Sequence, residues 1–197
     1  ILEAAKEANI FDDIILSTDS EEIAEVGRSY GSTVPGLRPA ALATDYSDVF
    51  DTHDYISKLL NINDESHIVC ILTNNPFIDN KLIRDGYNIA NSSHFEIIAL
   101  DIFELGGDYL YFRQLFEQNG ILNFHFPDDM KRSKINRQTY KPTFTTINNM
   151  RWGKPSYMSN YEQYKSEIIE NGILPIPLLK TRNFDLDDVE DWQIIMA

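Results

Sequence analysis

Two aspartates near the end of the chain, Asp185 and Asp187, are separated by a single leucine in the run Asn183–Phe184–Asp185–Leu186–Asp187. In an extended segment, side chains two apart point the same way, so both carboxylates would share one face while Phe184 and Leu186 take the other. Neighbouring carboxylates repel unless a cation or protons compensate. A hard ion such as Mg²⁺ does so, bound through one or two carboxylates and completing its shell with phosphate oxygens. The same residues also read as a polar strand end feeding a helix, with Asp187 or Asp188 as cap and Glu190 or Asp191 in the first turn. Arg38, in Leu37–Arg38–Pro39–Ala40–Ala41, is placed where a lone cation could reach a phosphate, and an ion pair with Asp45 or another acid fits it equally well. Arg137 and Gln138 are adjacent. A guanidinium forks onto a carboxylate and an amide adds a donor and an acceptor, which suits an acidic sugar; a solvated loop is the alternative.

Other chemistries find little support. His53, His67, His94 and His125 are scattered without metal-ligand spacing, and no serine elbow, G-x-G-x-x-G or P-loop pattern occurs. Cys70 lies inside Ile68–Val69–Cys70–Ile71–Leu72 and is expected to be a small buried hydrophobe. A single cysteine excludes an intrachain disulfide and makes the cytoplasm the expected compartment. The formal charge of -14 over 197 residues argues against nucleic acid and anionic membrane surfaces as partners, since both attract clustered Lys and Arg. It still permits a small anion held by a local Arg, a cation and backbone N–H groups. The apolar runs 68–72 and 97–100 are strand-sized, far short of the ~20 residues a membrane span needs.

These residues must be carried by an α/β alternation. Residues 1–9 read as helix and 14–16 as a short buried strand ending at Ser17–Thr18–Asp19. Ser20 caps a helix with an apolar stripe of Ile23, Val26 and Tyr30, closed by Gly31. Residues 34–45 form a loop, 49–60 a helix, 67–72 a buried strand, and Asp79 starts a helix that turns Leu82, Ile83 and Tyr87 inward. Residues 95–101 give the next strand, and this regularity predicts a largely parallel sheet covered on both faces. Residues 109–116 and 121–126 then suggest a hairpin. Residues 127–143 read as a polar loop or arm, 144–152 as a strand, 157–170 as a helix, and 173–179 as an extended run. Asp188 caps a last helix.

The segment IFDDIILSTDSEEIAEVGRSYGSTVPGLRPAALATD, residues 10–45, resembles the acylneuraminate cytidylyltransferase family in the order and spacing of FD, STD, EIAE, YG-x-x-VP and LRP-x-x-LA-x-D. CILTNNPFID is similar to that family's buried strand and Pro-containing loop, in the version of its pseudaminic acid enzymes. RQTYKPTFTTINNMRWGKP and NFDLDDVEDW resemble its WGKP segment and its closing D-[IV]-D-x-x-E-D-W. The resemblance covers nearly all of 1–197 and is weakest through 100–130.

The resemblance implies a single α/β domain over 1–197. Its fold would be a Rossmann-like nucleotidyltransferase with a mostly parallel sheet, helices on both faces and a small β arm. It implies a homodimer that joins CTP to a nine-carbon acidic sugar, giving a CMP-sugar and pyrophosphate, with Mg²⁺ as cofactor. Asp185 and Asp187 match the family's metal-binding pair, Arg38 its nucleotide-side Arg, and Arg137 and Gln138 its sugar-acid position. Leu72 and Ile78 stand where the sialic acid subgroup has Gln and Arg, which turns the expectation towards pseudaminic acid. The family's first strand and basic triphosphate loop would precede Ile1, so a catalytically inactive partner or assembly module is the alternative expectation.

Overall fold

The computed structural model describes residues 1–65, 67–105, 113–132, 143–146, 148–182, 184, 186 and 188–196. Short polar residues set most helix starts. α1 (Leu2–Ala8) ends at Asn9 in the left-handed conformation. Ser20 caps α2 (Glu21–Ser29) by accepting from the Ile23 N–H, and Asp48 caps α3 (Val49–Leu60) by accepting from Phe50 at 2.9 Å. β1 (Val69–Leu72) leads to α4 (Asn80–Asn91), whose cap Asp79 accepts from Leu82 at 2.8 Å. Each such cap is worth about 1 kcal/mol.

β2 (Ala99–Glu104) is followed by a hairpin of β3 (Leu115–Gln118) and β4 (Ile121–Phe124). Asn119 and Gly120 both have positive φ there, the geometry a two-residue hairpin turn requires. The remaining elements are α5 (Pro127–Arg132), β5 (Phe144–Thr145), β6 (Met150–Gly153), α6 (Pro155–Met158), α7 (Tyr161–Glu170), β7 (Leu174–Pro177) and α8 (Val189–Met196).

The sheet is mixed, which corrects the expectation of a mostly parallel one. β6 lies between β1 and β2 and runs antiparallel to both, pairing Cys70 with Trp152 and Leu100 with Arg151. β5 is also antiparallel to β2, and among the described residues only β7 pairs with β2 in parallel. The alternation through residue 104 does orient β1 and β2 the same way. In chain order β6 follows β2 after the β3–β4 hairpin, α5 and β5, and it pairs with β2 in the antiparallel sense, which needs no helical crossover. Near the N-terminus the expected strand at 14–16 is reduced to one parallel bridge between Ile15 and Thr33.

Two further expectations change. Ile23, Val26 and Tyr30 are exposed, while α2 buries Ala24 and Gly27. A side chain on Gly27 would meet the Leu16 side chain at 2.2 Å, so only the small face of α2 can approach. The single helix expected over 157–170 is two, because Asn160 starts α7 by accepting from the Gln163 N–H at 3.0 Å. Asp188 caps α8 as expected, accepting from Glu190 and Asp191.

Both faces of the sheet are covered. On one, Ala5, Ala8, Ile83 and Ala90 of α1 and α4 pack on Ala99, Met150, Trp152 and Ile176. On the other, Phe50, Tyr157, Met158 and Tyr164 of α3, α6 and α7 pack on Ile71, Ile98 and Leu100. Cys70 packs against the first cluster, and burial pushes its thiol well above the ordinary range, as expected of an inert core cysteine.

Trp152 is stacked on Phe11 at 5.5 Å and met edge-on by Tyr87 at 5.6 Å, with Gly86 of α4 against its ring. In an open helix, replacing Gly by Ala stabilises by about 0.8–1.0 kcal/mol. Here the added carbon would stand 2.8 Å from Trp152 Nε1, on a ring fixed from two sides. Gly86→Ala is therefore expected to destabilise by about 1–3 kcal/mol through overpacking. The urea midpoint checks this, and an unchanged midpoint would mean that the ring can yield.

Candidate active site

The end of β1 and the chain leading to α8 are joined by side-chain amides. Asn75, fully buried, donates from Nδ2 to the Arg182 carbonyl at 2.9 Å, and its Oδ1 accepts from the Phe77 N–H at 2.9 Å. Asn149, 1% exposed, donates to the Phe184 carbonyl at 2.9 Å, and Asn74 donates to the Leu186 carbonyl at 2.8 Å. Three amides thus hold the carbonyls of residues 182, 184 and 186. Asn75 and Asn149 are buried and require such partners, whereas Asn74 is exposed; a hydrogen bond of this kind nets about 0.5–1.5 kcal/mol while fixing position.

Thr73 locks Asn149 in turn. Its N–H donates to the Asn149 carbonyl at 3.0 Å and its hydroxyl to Asn149 Oδ1 at 2.8 Å. Phe184 meets Phe77 edge-on at 5.9 Å, and Arg182 pairs with Asp79 at 2.5 Å. Burial alone would raise the Asp79 carboxyl. The Leu82 N–H and the Arg182 guanidinium outweigh burial and hold it below the usual carboxylate range.

The sequence reading gave no role of their own to Asn74 and Asn75, which follow the strand at 67–72, or to Asn149, which lies inside the strand expected at 144–152. The available signal was two Asn pairs, 74–75 and 148–149, each bordering a buried strand. Asp185 and Asp187, and likewise Arg137 and Gln138, lie outside the described residues. Among the described residues no three His, Cys, Asp or Glu cluster as a metal site.

Arg38 is anchored beside the Ser17–Thr18–Asp19 corner. Its N–H donates to the Thr18 carbonyl at 2.7 Å, and its guanidinium stands 3.5 Å from Asp19. The acid that meets it is Asp19, not Asp45. A pair at that distance near the surface contributes about 0–1 kcal/mol, so it does not commit the side chain. Arg38 Nε is buried with no hydrogen-bond partner. Among the described residues Arg38 shares no bond with the 73–75 corner or with 182–188.

A second buried polar group was not anticipated. Arg151 of β6 is 5% exposed, with its guanidinium 5.4 Å from the Phe50 ring centre and 6.0 Å from that of Tyr164. Tyr164 Oη donates to Asn148 Oδ1 at 3.2 Å. Burial pulls the Arg151 guanidinium below the usual arginine range, against the opposing pull of Tyr164, Asp101 and Asp48. Asp101, 2% exposed, accepts from the Met150 N–H at 3.1 Å and is raised by burial despite that bond. Burial, then the Arg151 charge, lowers His53 to about 4, so its imidazole is neutral near neutral pH. Arg151 escaped the sequence reading because nothing local distinguishes a buried strand arginine from one at a strand edge.

The cytidylyltransferase family model matches residues 1–117. A pseudaminic acid cytidylyltransferase of Campylobacter jejuni subsp. jejuni is 30% identical over 104 residues, which is 51% of this chain and 45% of that protein. A CMP-N,N'-diacetyllegionaminic acid synthase of Legionella pneumophila subsp. pneumophila is 49% identical over 49 residues, 25% of this chain and 21% of that protein. The chain therefore matches less than half the length of these relatives. No helix among the described residues is long and apolar enough to cross a membrane.

The neutral His53 makes stability depend on pH. An unfolded chain protonates His53 near its ordinary value of 6.5 and the folded one only near about 4, so unfolding takes up a proton between them. Stability from this group is present above that window and is lost as pH falls through it, by up to about 1.4 kcal/mol per pH unit. Melting temperature followed from pH 7 to 4 is expected to fall less steeply for His53→Gln than for the parent; equal slopes would show that the imidazole is not held neutral.

Proposed function

Because this chain belongs to the cytidylyltransferase family, we propose that it activates a nonulosonic acid with CTP, releasing pyrophosphate and a CMP-linked sugar. The observation that carries this reading is the triad of Asn amides that ties 182–186 to the end of β1. It fixes the backbone on both sides of position 185. The family match and the names of the relatives favour a catalyst over an inactive assembly module. The acid in the Campylobacter relative's name, pseudaminic acid, is the substrate we propose first.

In this reading the sugar's anomeric oxygen forms a bond to the CTP α-phosphorus. The bond from that phosphorus to the bridging oxygen breaks, pyrophosphate departs and the hydroxyl proton goes to solvent. Most of the barrier is positioning and charge, because two anions must meet. Asp185 and Asp187 would hold Mg²⁺; a carboxylate pair beside phosphate oxygens suits that ion. When bound it would neutralise developing phosphate charge. Arg38, only loosely engaged by Asp19, is free to turn to the nucleotide. Arg137 and Gln138 would face the acid of the sugar.

We place the protein in the cytoplasm as a homodimer. The β3–β4 hairpin supports the dimer, since Phe116, Ile121, Leu122 and Phe124 are all exposed on it. Pyrophosphate release from CTP and a panel of nonulosonic acids, measured on the full protein, tests the function. Asp187→Ala is expected to lower turnover by at least about 100-fold, since metal stabilisation of phosphate charge is worth several kcal/mol and each 1.36 is tenfold. The fold should persist. Undiminished release by Asp187→Ala would overturn the metal assignment, and no release by the parent with any acid would overturn the function.

A further inference from the structure

We propose that Asp101 is a positioning residue, a buried carboxylate that holds a bulge in the sheet and so aims the Asn149 amide at residues 73 and 184. The proposal rests on the function inferred above only in giving that corner a reaction to serve.

β2 meets β6 through Ala99 with Trp152 and Leu100 with Arg151, and it meets β5 through Phe103 with Thr145. Between those pairs β2 contributes two residues, Asp101 and Ile102, and the facing chain contributes the five at 146–150. The facing chain thus carries three residues more than a regular ladder accommodates. A bulge of this kind interrupts the ladder and re-aims a side chain. Asn148, at φ 58°, and Asn149 lie within it. An interrupted ladder leaves buried N–H groups that need another acceptor. Asp101 supplies it, taking the Met150 N–H on Oδ1 at 3.1 Å. Burial raises its carboxyl, and the N–H groups of Met150, Asn149 and Asp101 itself, then the Arg151 charge, pull the other way. The backbone N–H groups outweigh Arg151, so the carboxylate is first an acceptor for the bulge and only second a counter-charge for that arginine. Seated in this way, Asn149 presents its carbonyl and Oδ1 to Thr73 and its Nδ2 to Phe184.

Stability alone does not call for an acid here. Asp101 is buried, and its Oδ2 has no hydrogen-bond partner. An amide at 101 would still accept from Met150 and would bury no charge. What the charge adds is strength, since a hydrogen bond to an ionised acceptor is about twice as strong as a neutral one. Extra strength at this point keeps the bulge in one geometry, and through Asn149 it keeps the corner of Thr73 and Phe184 in one geometry as well. Positioning of that kind matters to catalysis, because a misplacement of about 1 Å costs on the order of 100-fold in rate.

The test applies hydrogen exchange read by mass spectrometry, urea midpoints and pyrophosphate release to the full protein and to Asp101→Asn, Asn149→Ala and the double variant. In Asp101→Asn, peptides covering 73–75 and 148–152 are expected to exchange about tenfold faster, the difference between a charge-assisted and a neutral bond. Peptides from α1 and α4 should stay within about twofold, and the urea midpoint should stay near that of the parent. The kcat should fall by about 10- to 100-fold, with KM for CTP within about twofold. In the Asn149→Ala background the same substitution should change turnover by less than about twofold, because Asp101 acts through that amide. Faster exchange throughout the chain with a lower midpoint would make Asp101 structural and overturn the proposal. So would undisturbed exchange at the corner, an undiminished kcat, or an equally large effect of Asp101→Asn once Asn149 is gone. A parent that releases no pyrophosphate overturns the function instead, and the exchange pattern then decides by itself whether Asp101 holds the corner.

Discussion

Asn149 meets three separated parts of the chain with its polar groups. Its carbonyl and Oδ1 both accept from Thr73, its Nδ2 donates to Phe184, and its N–H acts on the Asp101 carboxylate of β2. An amide this deeply buried cannot be left half satisfied, so all three contacts form together or the site does not form. Because Asn149 immediately precedes β6, its position depends on β6 entering between β1 and β2. The antiparallel insertion is therefore what couples the middle of the sheet to the run of chain that carries Asp185 and Asp187.

The parts of this arrangement that were legible in the sequence are local ones. Ser20, Asp79 and Asp188 declare helix starts because a short polar side chain has one good use there, and Asn119–Gly120 declares a hairpin because few residues tolerate positive φ. Strand neighbours were not legible in the same way. Hydrophobic runs at 68–72 and 97–100 give direction and burial but not who lies between them. α2 shows the complementary difficulty. Its large apolar residues form a clear stripe, yet Leu16 leaves room only for Ala24 and Gly27 to approach. Helical periodicity reports which residues share a face, whereas steric fit decides which face is buried.

Arg182, Arg38 and Arg151 are in three different electrostatic states. Arg182 is committed, 2.5 Å from an Asp79 that also caps α4. Arg38 is loosely engaged, with a solvent-screened acid at 3.5 Å and a buried Nε without a partner. Arg151 lies against the Phe50 and Tyr164 rings, hydrogen-bonded by Tyr164 and drawn on by Asp101 and Asp48, with no ion pair within 4 Å among the described residues. In a protein with a formal charge of -14, acids to pair with are abundant. Where an arginine forms no close ion pair, packing sets its position, at a cost in stability that more distant acids only partly offset.

The use of neutral amides at 182, 184 and 186 follows the same logic. The segment could have been held by arginine or lysine, whose bonds to carbonyls are stronger. A cation there would also have neutralised neighbouring carboxylates, lowering their appetite for a divalent ion and competing with it for the same oxygens. Asn74, Asn75 and Asn149 position the backbone and contribute no net charge, while the Arg182 guanidinium is turned onto Asp79. Anchors without charge at 182, 184 and 186 do not oppose the metal role proposed for Asp185 and Asp187. Under the proposed function that is the state a metal-dependent nucleotidyltransferase needs before substrate arrives, with geometry supplied by dipoles and charge left for the ion and the phosphates to balance.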